Sequence, residues 1–392
     1  MTHPNRRDFV SLALAGLALP GAWAQGQQRA AGAADRVLVL VELKGGNDGL
    51  NTVVPYADPL YAQLRPTIGI KPGEVLPLDE RLGLHPSLQP LLPLWERKEL
   101  AVLLGLGYPQ PNLSHFRSIE IWETGSRSNE YLDEGWVARA MASGLRESSR
   151  FTTEGVAVGN AGLGALAGAR AVALTQPEAF ISQSRLARPA ASSGNAALRH
   201  VLRVEGDVLQ AAEGLRGSAA APLSTEFPNH GFGQAVKAVC HIVAGQKGKG
   251  GVPVFHVSIG SFDTHQGQPG THASLLKQLA EGLAALRAGL IESGAWDRTL
   301  VLSYSEFGRR ARQNQSNGTD HGTAAAHFAL GGAVRGGLHG RQPSLDTLDD
   351  TGNLVHTTDF RQVYGTVAAR WWGISPEPVV KGRFDTIDFL KT

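Results

Sequence analysis

Five short polar clusters in this 392-residue chain carry side chains that could hold a metal ion or cleave an ester. They are Gly45-Gly46-Asn47-Asp48-Gly49-Leu50-Asn51, Ser114-His115-Phe116-Arg117, Phe262-Asp263-Thr264-His265, Ser305-Glu306-Phe307-Gly308-Arg309 and Gly318-Thr319-Asp320-His321-Gly322-Thr323. Carboxylate and imidazole donors without a thiolate suit Zn, Mn, Mg or Ca. Asp48, Asp263, His265, Glu306, Asp320 and His321 are the candidate ligands for such a divalent ion. Ser114 is the candidate nucleophile, with His115 beside it, and Arg117 and Arg309 are candidate clamps for an anionic group. Each piece also has a plain structural reading. Asp48 could be a turn former, Asp263 a cap beside a surface His265, and Glu306 half of a buried ion pair with Arg309. His115 could orient Ser114 or cap a helix. His85, His256, His272 and His356 read as structural or surface-placed.

The clusters gain meaning from where they stand. Four of them follow strand-like apolar runs: 36–43, 100–104, 252–259 and 299–304. The fifth precedes the apolar run 327–330, and 155–158 and 171–174 are shorter strand candidates. Near-continuous Val and Leu runs are what parallel strands buried on both faces require. Between them, Leu275, Leu276, Leu279, Leu283, Leu286 and Leu290 recur at helical spacing, with Gly294 as a stop. Phe232, Ala235, Val236, Val239, Cys240 and Val243 form a second helical stripe. Strands alternating with helices predict an α/β fold with a mostly parallel central sheet flanked by helices. In such a sheet the loops at the carboxyl edge converge on one crevice, which would gather the five clusters. Residues 25–392 read as one domain, with 182–230, rich in Ala, Ser, Gly and Arg, as a peripheral insertion bearing a helix around 195–212.

Composition narrows the classes. Lys+Arg of 37 against Asp+Glu of 35 gives no field to gather nucleic acid. A chain 42% hydrophobic and 18% charged is apolar enough for a sizeable core. The single cysteine, Cys240, excludes an intrachain disulfide and a Cys-based metal cluster, and its place on an apolar stripe reads as an inert core thiol. No Gly-x-Ser-x-Gly, His-Glu-x-x-His or Gly-x-x-x-x-Gly-Lys-Ser/Thr pattern occurs. Residues 1–24 carry Arg6-Arg7, an apolar run from Phe9 to Leu19, Pro20-Gly21 and Ala22-Trp23-Ala24. This order is that of a cleaved twin-arginine signal peptide. It predicts passage of a folded protein through the twin-arginine (Tat) export machinery to a periplasmic or secreted location, with no stable membrane anchor.

In their order the five motifs resemble the DUF1501 family of exported bacterial proteins, over residues 36–375. That family in turn resembles the alkaline phosphatase/sulfatase superfamily, which implies an alkaline-phosphatase-like sheet with a one- or two-metal site at its carboxyl edge. By this resemblance Asp48 is similar to the aspartate after the superfamily's first strand, and Ser114 lies near the nucleophile's place. Asp263 and His265 resemble an Asp…His ligand pair at shorter spacing, Glu306 the carboxylate of a later pair, and His321 the final histidine; Asp320 has no secure counterpart. Phe307 replaces a histidine, which removes one imidazole from a two-metal site. Ser114-His115-Phe116-Arg117 lacks the Cys/Ser-x-Pro-x-Arg motif of formylglycine sulfatases. The expected function is a metal-dependent hydrolase of an anionic phosphate or sulfate ester. The alternatives are a non-catalytic periplasmic binding or assembly protein with a degenerate metal site, and a metal-free hydrolase using Ser114 and His115.

Overall fold

The computed structural model describes residues 35–145, 153–175, 222–246 and 251–391, with isolated positions between them. The expected signal peptide at 1–24, the helix around 195–212 and the insertion up to residue 221 lie outside the described residues, apart from isolated positions. The central sheet contains nine strands: β1 (Val37–Leu43), β2 (Leu100–Gly107), β3 (Gly155–Val158), β4 (Ala171–Leu174), β5 (Val254–Ile259), β6 (Thr299–Tyr304), β7 (Ala325–Leu330), β8 (Gly337–His339) and β9 (Thr358–Asp359). Their order is β8-β2-β7-β6-β1-β5-β3-β4, and β9 pairs with β2.

β1 lies at the centre because every one of its residues is apolar or buried. It pairs in parallel with β5 on one side and β6 on the other. Its side chains alternate between two cores. Val37, Val39, Val41 and Leu43 face one, Leu38 and Leu40 the other. Two short helices, α1 (Gly49–Thr52) and α2 (Pro59–Leu64), follow β1, and the first core is covered by α4 (Gly231–Gly245) and α5 (Gln268–Glu292), whose Leu275, Leu276, Leu279, Leu283, Leu286 and Leu290 are buried. Gly294 follows α5 in the left-handed region, φ 69°, as a helix stop requires. Cys240 is buried between these helices, and burial pushes its thiol up to about 12, so it stays protonated. The second core is covered by α3 (His115–Thr124) and α6 (Phe360–Thr366).

The sheet is mixed rather than wholly parallel. β7 runs antiparallel to both β6 and β2. The reversal matters for the site, because the start of β7 lies at the same edge as the ends of β1, β5 and β6. The segment 318–323 therefore reaches the carboxyl edge by preceding its strand. Among the described residues no helix is long and apolar enough to cross a membrane.

β7 also holds a buried polar group with no compensation. His327 is 1% exposed, both its ring nitrogens lack a hydrogen-bond partner, and burial pushes its pKa down to about 3. Below the ordinary imidazole value of 6.5 the unfolded chain therefore binds a proton that the folded chain refuses, and stability falls as pH falls from 6.5 toward 3. His327→Phe is expected to unfold at higher urea than the parent, and to lose less stability between pH 7 and pH 5. By pH 5 the difference in stability lost amounts to about 2 kcal/mol. Equal losses in the two proteins would contradict this reading of His327.

Candidate metal centre

Three imidazoles and one carboxylate meet at the carboxyl edge. His115 opens α3, Asp263 and His265 follow β5, and His321 precedes β7. His265 Nε2 lies 3.0 Å from Asp263 Oδ1, His321 Nε2 lies 3.3 Å from the same oxygen, and the two Nε2 atoms are 3.0 Å apart. His115 Nε2 lies 3.5 Å from Asp263 Oδ2. Donor atoms of His115, Asp263 and His321 all lie within 4.8 Å of one another.

The opposite nitrogen of each ring faces an oxygen. His115 Nδ1 is 2.9 Å from Glu306 Oε1 and His321 Nδ1 is 2.9 Å from the carbonyl of Leu113. His265 Nδ1 looks toward Asp320 Oδ1 at 3.6 Å, too long for a hydrogen bond but of the right polarity. At His265 the contact is too long to fix the proton, whereas acceptors at Nδ1 of His115 and His321 place the protons there and leave the Nε2 lone pairs of these two rings for an ion. This is how metal-binding histidines are held. Around a tetrahedral ion with bonds of about 2.0–2.1 Å, donors stand roughly 3.3 Å apart. The triangle of 3.0, 3.0 and 3.3 Å formed by His265, His321 and Asp263 fits one face of such a polyhedron. The donor set of three imidazoles and a carboxylate suits zinc or another borderline divalent ion.

Backbone contacts fix this arrangement. The segment 308–310 pairs with 320–323 through Gly308 N to Thr323 O, Gly322 N to Gly308 O and Arg310 N to Asp320 O, at 3.1, 2.9 and 3.0 Å. Gly318 lies so close to the His265 backbone that a Cβ there would stand 2.2 Å from its carbonyl carbon. Gly46, with φ 78°, has the Phe307 ring where a Cβ would be, at 2.3 Å. Phe307 is buried and packs at a tilt against the imidazoles of His321 and His115, with centroids 4.4 and 4.9 Å apart. It forms an apolar wall where a further imidazole would otherwise enlarge the site.

Several residues singled out in the sequence stand elsewhere. Asp48 is fully buried and caps the one-turn helix Gly49–Thr52, its Oδ1 accepting from Leu50 N and Asn51 N. Its Oδ2 pairs with Arg65 at 2.5 Å and accepts from Gln268. Burial alone would raise its pKa, but the Arg65 charge and hydrogen bond, with smaller help from His272 and Gln268, hold it below the ordinary value. Both oxygens are thus committed, and Asp48 is a structural ion pair rather than a ligand. Glu306 is buried and acts through His115, accepting from Gly45 N at 2.7 Å as well. It is not paired with Arg309. Arg309 instead donates to Asp263 Oδ1 at 2.6 Å and to the carbonyls of Gly45, Gly46, Phe262 and Thr319. Partial burial would raise the Asp263 pKa, but Arg309, His265 and His321 pull it below the ordinary value and keep it ionised. Arg117 is buried, paired with Glu120 at 2.8 Å and bonded to the carbonyls of Arg127, Ser128 and Glu130. Neither arginine presents a free guanidinium to an anion. Ser114 is exposed at the N-cap of α3 and its hydroxyl makes no capping hydrogen bond. Asp320 is exposed at the rim beside His265.

Two partners were not flagged by residue type. Arg65, seventeen positions after Asp48, lies on no motif, and Gln268 opens a long helix. The histidines expected to be structural are so placed. His272 contacts Asn47 Oδ1 at 3.0 Å, His85 caps a short helix through Ser87 N, and His256 meets Tyr304 Oη at 2.9 Å.

This chain, with its motif series and mixed α/β sheet, belongs to the DUF1501 family, described as a protein of unknown function, which matches residues 34–382. No curated protein matches the sequence. Among solved structures it is similar to Ps i-CgsB in complex with k-i-k-neocarrahexaose, at 10% identity over 89% of this chain and 75% of that one, TM-score 0.42. It is also similar to a protein in the alkaline phosphatase superfamily from Vibrio parahaemolyticus, at 11% identity over 88% and 68%, TM-score 0.40. The C-terminal periplasmic domain of EcEptC from Escherichia coli, in complex with Zn, is similar at 10% identity over 76% and 72%, TM-score 0.33.

Two substitutions separate ligands from supports. Glu306→Gln, which leaves an acceptor for His115 but removes the charge, is expected to weaken zinc binding by about 10–100-fold in a calorimetric titration. Asp48→Ala should instead leave an unpaired buried Arg65 and lower unfolding free energy by about 3–5 kcal/mol. A folded, stable Asp48→Ala protein that had lost its metal would reverse the two assignments.

Proposed function

We propose that this protein is an exported metal-dependent hydrolase of a phosphate or sulfate ester. The observation that carries the reading is the convergence of three Nε2 atoms on Asp263, with Nδ1 of His115 and His321 held by Glu306 and the carbonyl of Leu113. His115, His265, His321 and Asp263 would hold the ion. When bound, a divalent cation supplies Lewis-acid stabilisation of the negative charge that builds up on the ester.

The chain's own groups would do the rest. The first-turn N–H groups of α3, at His115, Phe116 and Arg117, precede its first intrahelical bond, from Ser118 N to Ser114 O at 2.8 Å. They have no intrahelical acceptor and, with the helix dipole, favour an anionic group beside His115. Ser114 Oγ, free of capping duty at the same helix end, is the candidate nucleophile. Glu306 keeps the His115 proton on Nδ1, and Arg309 keeps Asp263 ionised. The basic pair Arg6-Arg7 and the apolar run after it supply the export address, so the hydrolase would act in the periplasm or outside the cell.

One observation favours a second reading, a binding or assembly protein on the same fold. Both arginines are engaged inside the protein, Arg309 by four carbonyls and Asp263, and Arg117 by Glu120 and the carbonyls of Arg127, Ser128 and Glu130. Hydrolysis of p-nitrophenyl phosphate and p-nitrophenyl sulfate distinguishes the two. The hydrolase reading predicts turnover that is lost on exhaustive chelation and returns with zinc or manganese. It also predicts that Ser114→Ala lowers kcat by at least about a hundredfold without loss of metal. A metal-loaded protein inert toward both esters would favour the binding reading, and turnover that survives chelation would contradict a metal role altogether.

A further inference from the structure

Phe116 is 89% exposed and Tyr131 74% exposed, and among the large hydrophobic side chains exposed in the described residues these two are the aromatic ones. They lie on two segments that Arg117 joins. Phe116 is the second residue of α3, directly after His115. Tyr131 lies over the Arg117 guanidinium at 3.9 Å, the close face-on contact of a cation with a ring. Arg117 also binds the carbonyls of Arg127, Ser128 and Glu130, so the turn that carries Tyr131 is stapled to the first turn of α3. A water-exposed phenylalanine on a rigid helix gives nothing to the core, and this one follows a metal-centre histidine with no residue between.

We propose that Phe116, with the Tyr131 ring clamped on Arg117, is an aromatic platform that receives the alcohol part of the ester, and that this alcohol carries a ring. This rests on the anionic-ester reading of the metal centre and names the class of substrate for it. With the anionic head at His115 and the N-terminus of α3, the rest of the ester would leave toward solvent, and the exposed ring of the next residue, Phe116, is the surface assigned to it. A flat face offers offset stacking to an aryl group or to the apolar face of a sugar.

The test is calorimetry on the zinc-loaded protein with two non-hydrolysable probes, phenylphosphonate and methylphosphonate. Phenylphosphonate is expected to bind about tenfold tighter. Phe116→Ala should abolish that preference while zinc affinity and methylphosphonate affinity stay unchanged, and Phe116→Tyr should keep it. Equal affinity for the two probes in the parent, or a preference that survives Phe116→Ala, overturns the platform and leaves the metal-centre reading intact. Failure of both probes to bind overturns the anionic-ester reading and the platform with it.

Discussion

The guanidinium of Arg309 is the cross-link on which the carboxyl edge depends. One buried cation takes the carbonyls of Gly45, Gly46, Phe262 and Thr319 and the carboxylate of Asp263. It therefore ties the loop after β1, the loop after β5 and the segment before β7 to the loop after β6, on which it resides. A guanidinium suits this role because its five donors lie in one plane and point outward to several partners at once. Burying a charge this deeply is unfavourable unless every donor is met, and here the surrounding carbonyls and one carboxylate meet them. Asp263 gains a fixed orientation and stays ionised, which is what a metal ligand needs.

A second buried pair supports the first. Asp48 and Arg65 hold the one-turn helix after β1, and Gln268 joins Asp48 to Thr264 and Thr319 through its side-chain amide. The Gly-Gly-Asn-Asp motif thus makes the floor of the site rather than its ligands. Above it the histidines stand on three different segments, with His115 and His321 steadied at Nδ1 and all three Nε2 atoms turned toward Asp263. The layering separates work that would otherwise compete. Charges beneath are saturated and rigid, whereas side chains of Asp263 and His265 at the surface are 43% exposed and can meet a cation and an ester.

Much of this was legible in the sequence, for physical reasons that differ by element. β1, β2 and β3 were readable because strands buried on both faces need unbroken apolar runs, and α5 because its leucines keep helical spacing. The convergence of the motifs followed from the parallel-sheet rule. The direction of β7 was not readable, since an apolar run has the same pattern in either direction, yet that direction is what delivers His321. The roles of individual acids were also hidden. Asp48 and Asp263 look alike as residues, and only the position of Arg65, just past the end of the short helix Pro59–Leu64, makes one of them structural. Glu306 and Arg309 lie three residues apart and read as a pair, but the backbone turns them to different partners, His115 and Asp263. Local spacing carries no information about which distant imidazole a carboxylate will meet.

The central claim is that His115, His265, His321 and Asp263 bind one metal ion together. Anomalous diffraction from crystals of the protein prepared with zinc tests it directly. The account predicts a single strong peak at the carboxyl edge, bonded to the three Nε2 atoms and to the Asp263 carboxylate. A peak bonded to Asp48 or directly to Glu306 would contradict it, as would a zinc-saturated crystal with no peak among these four side chains.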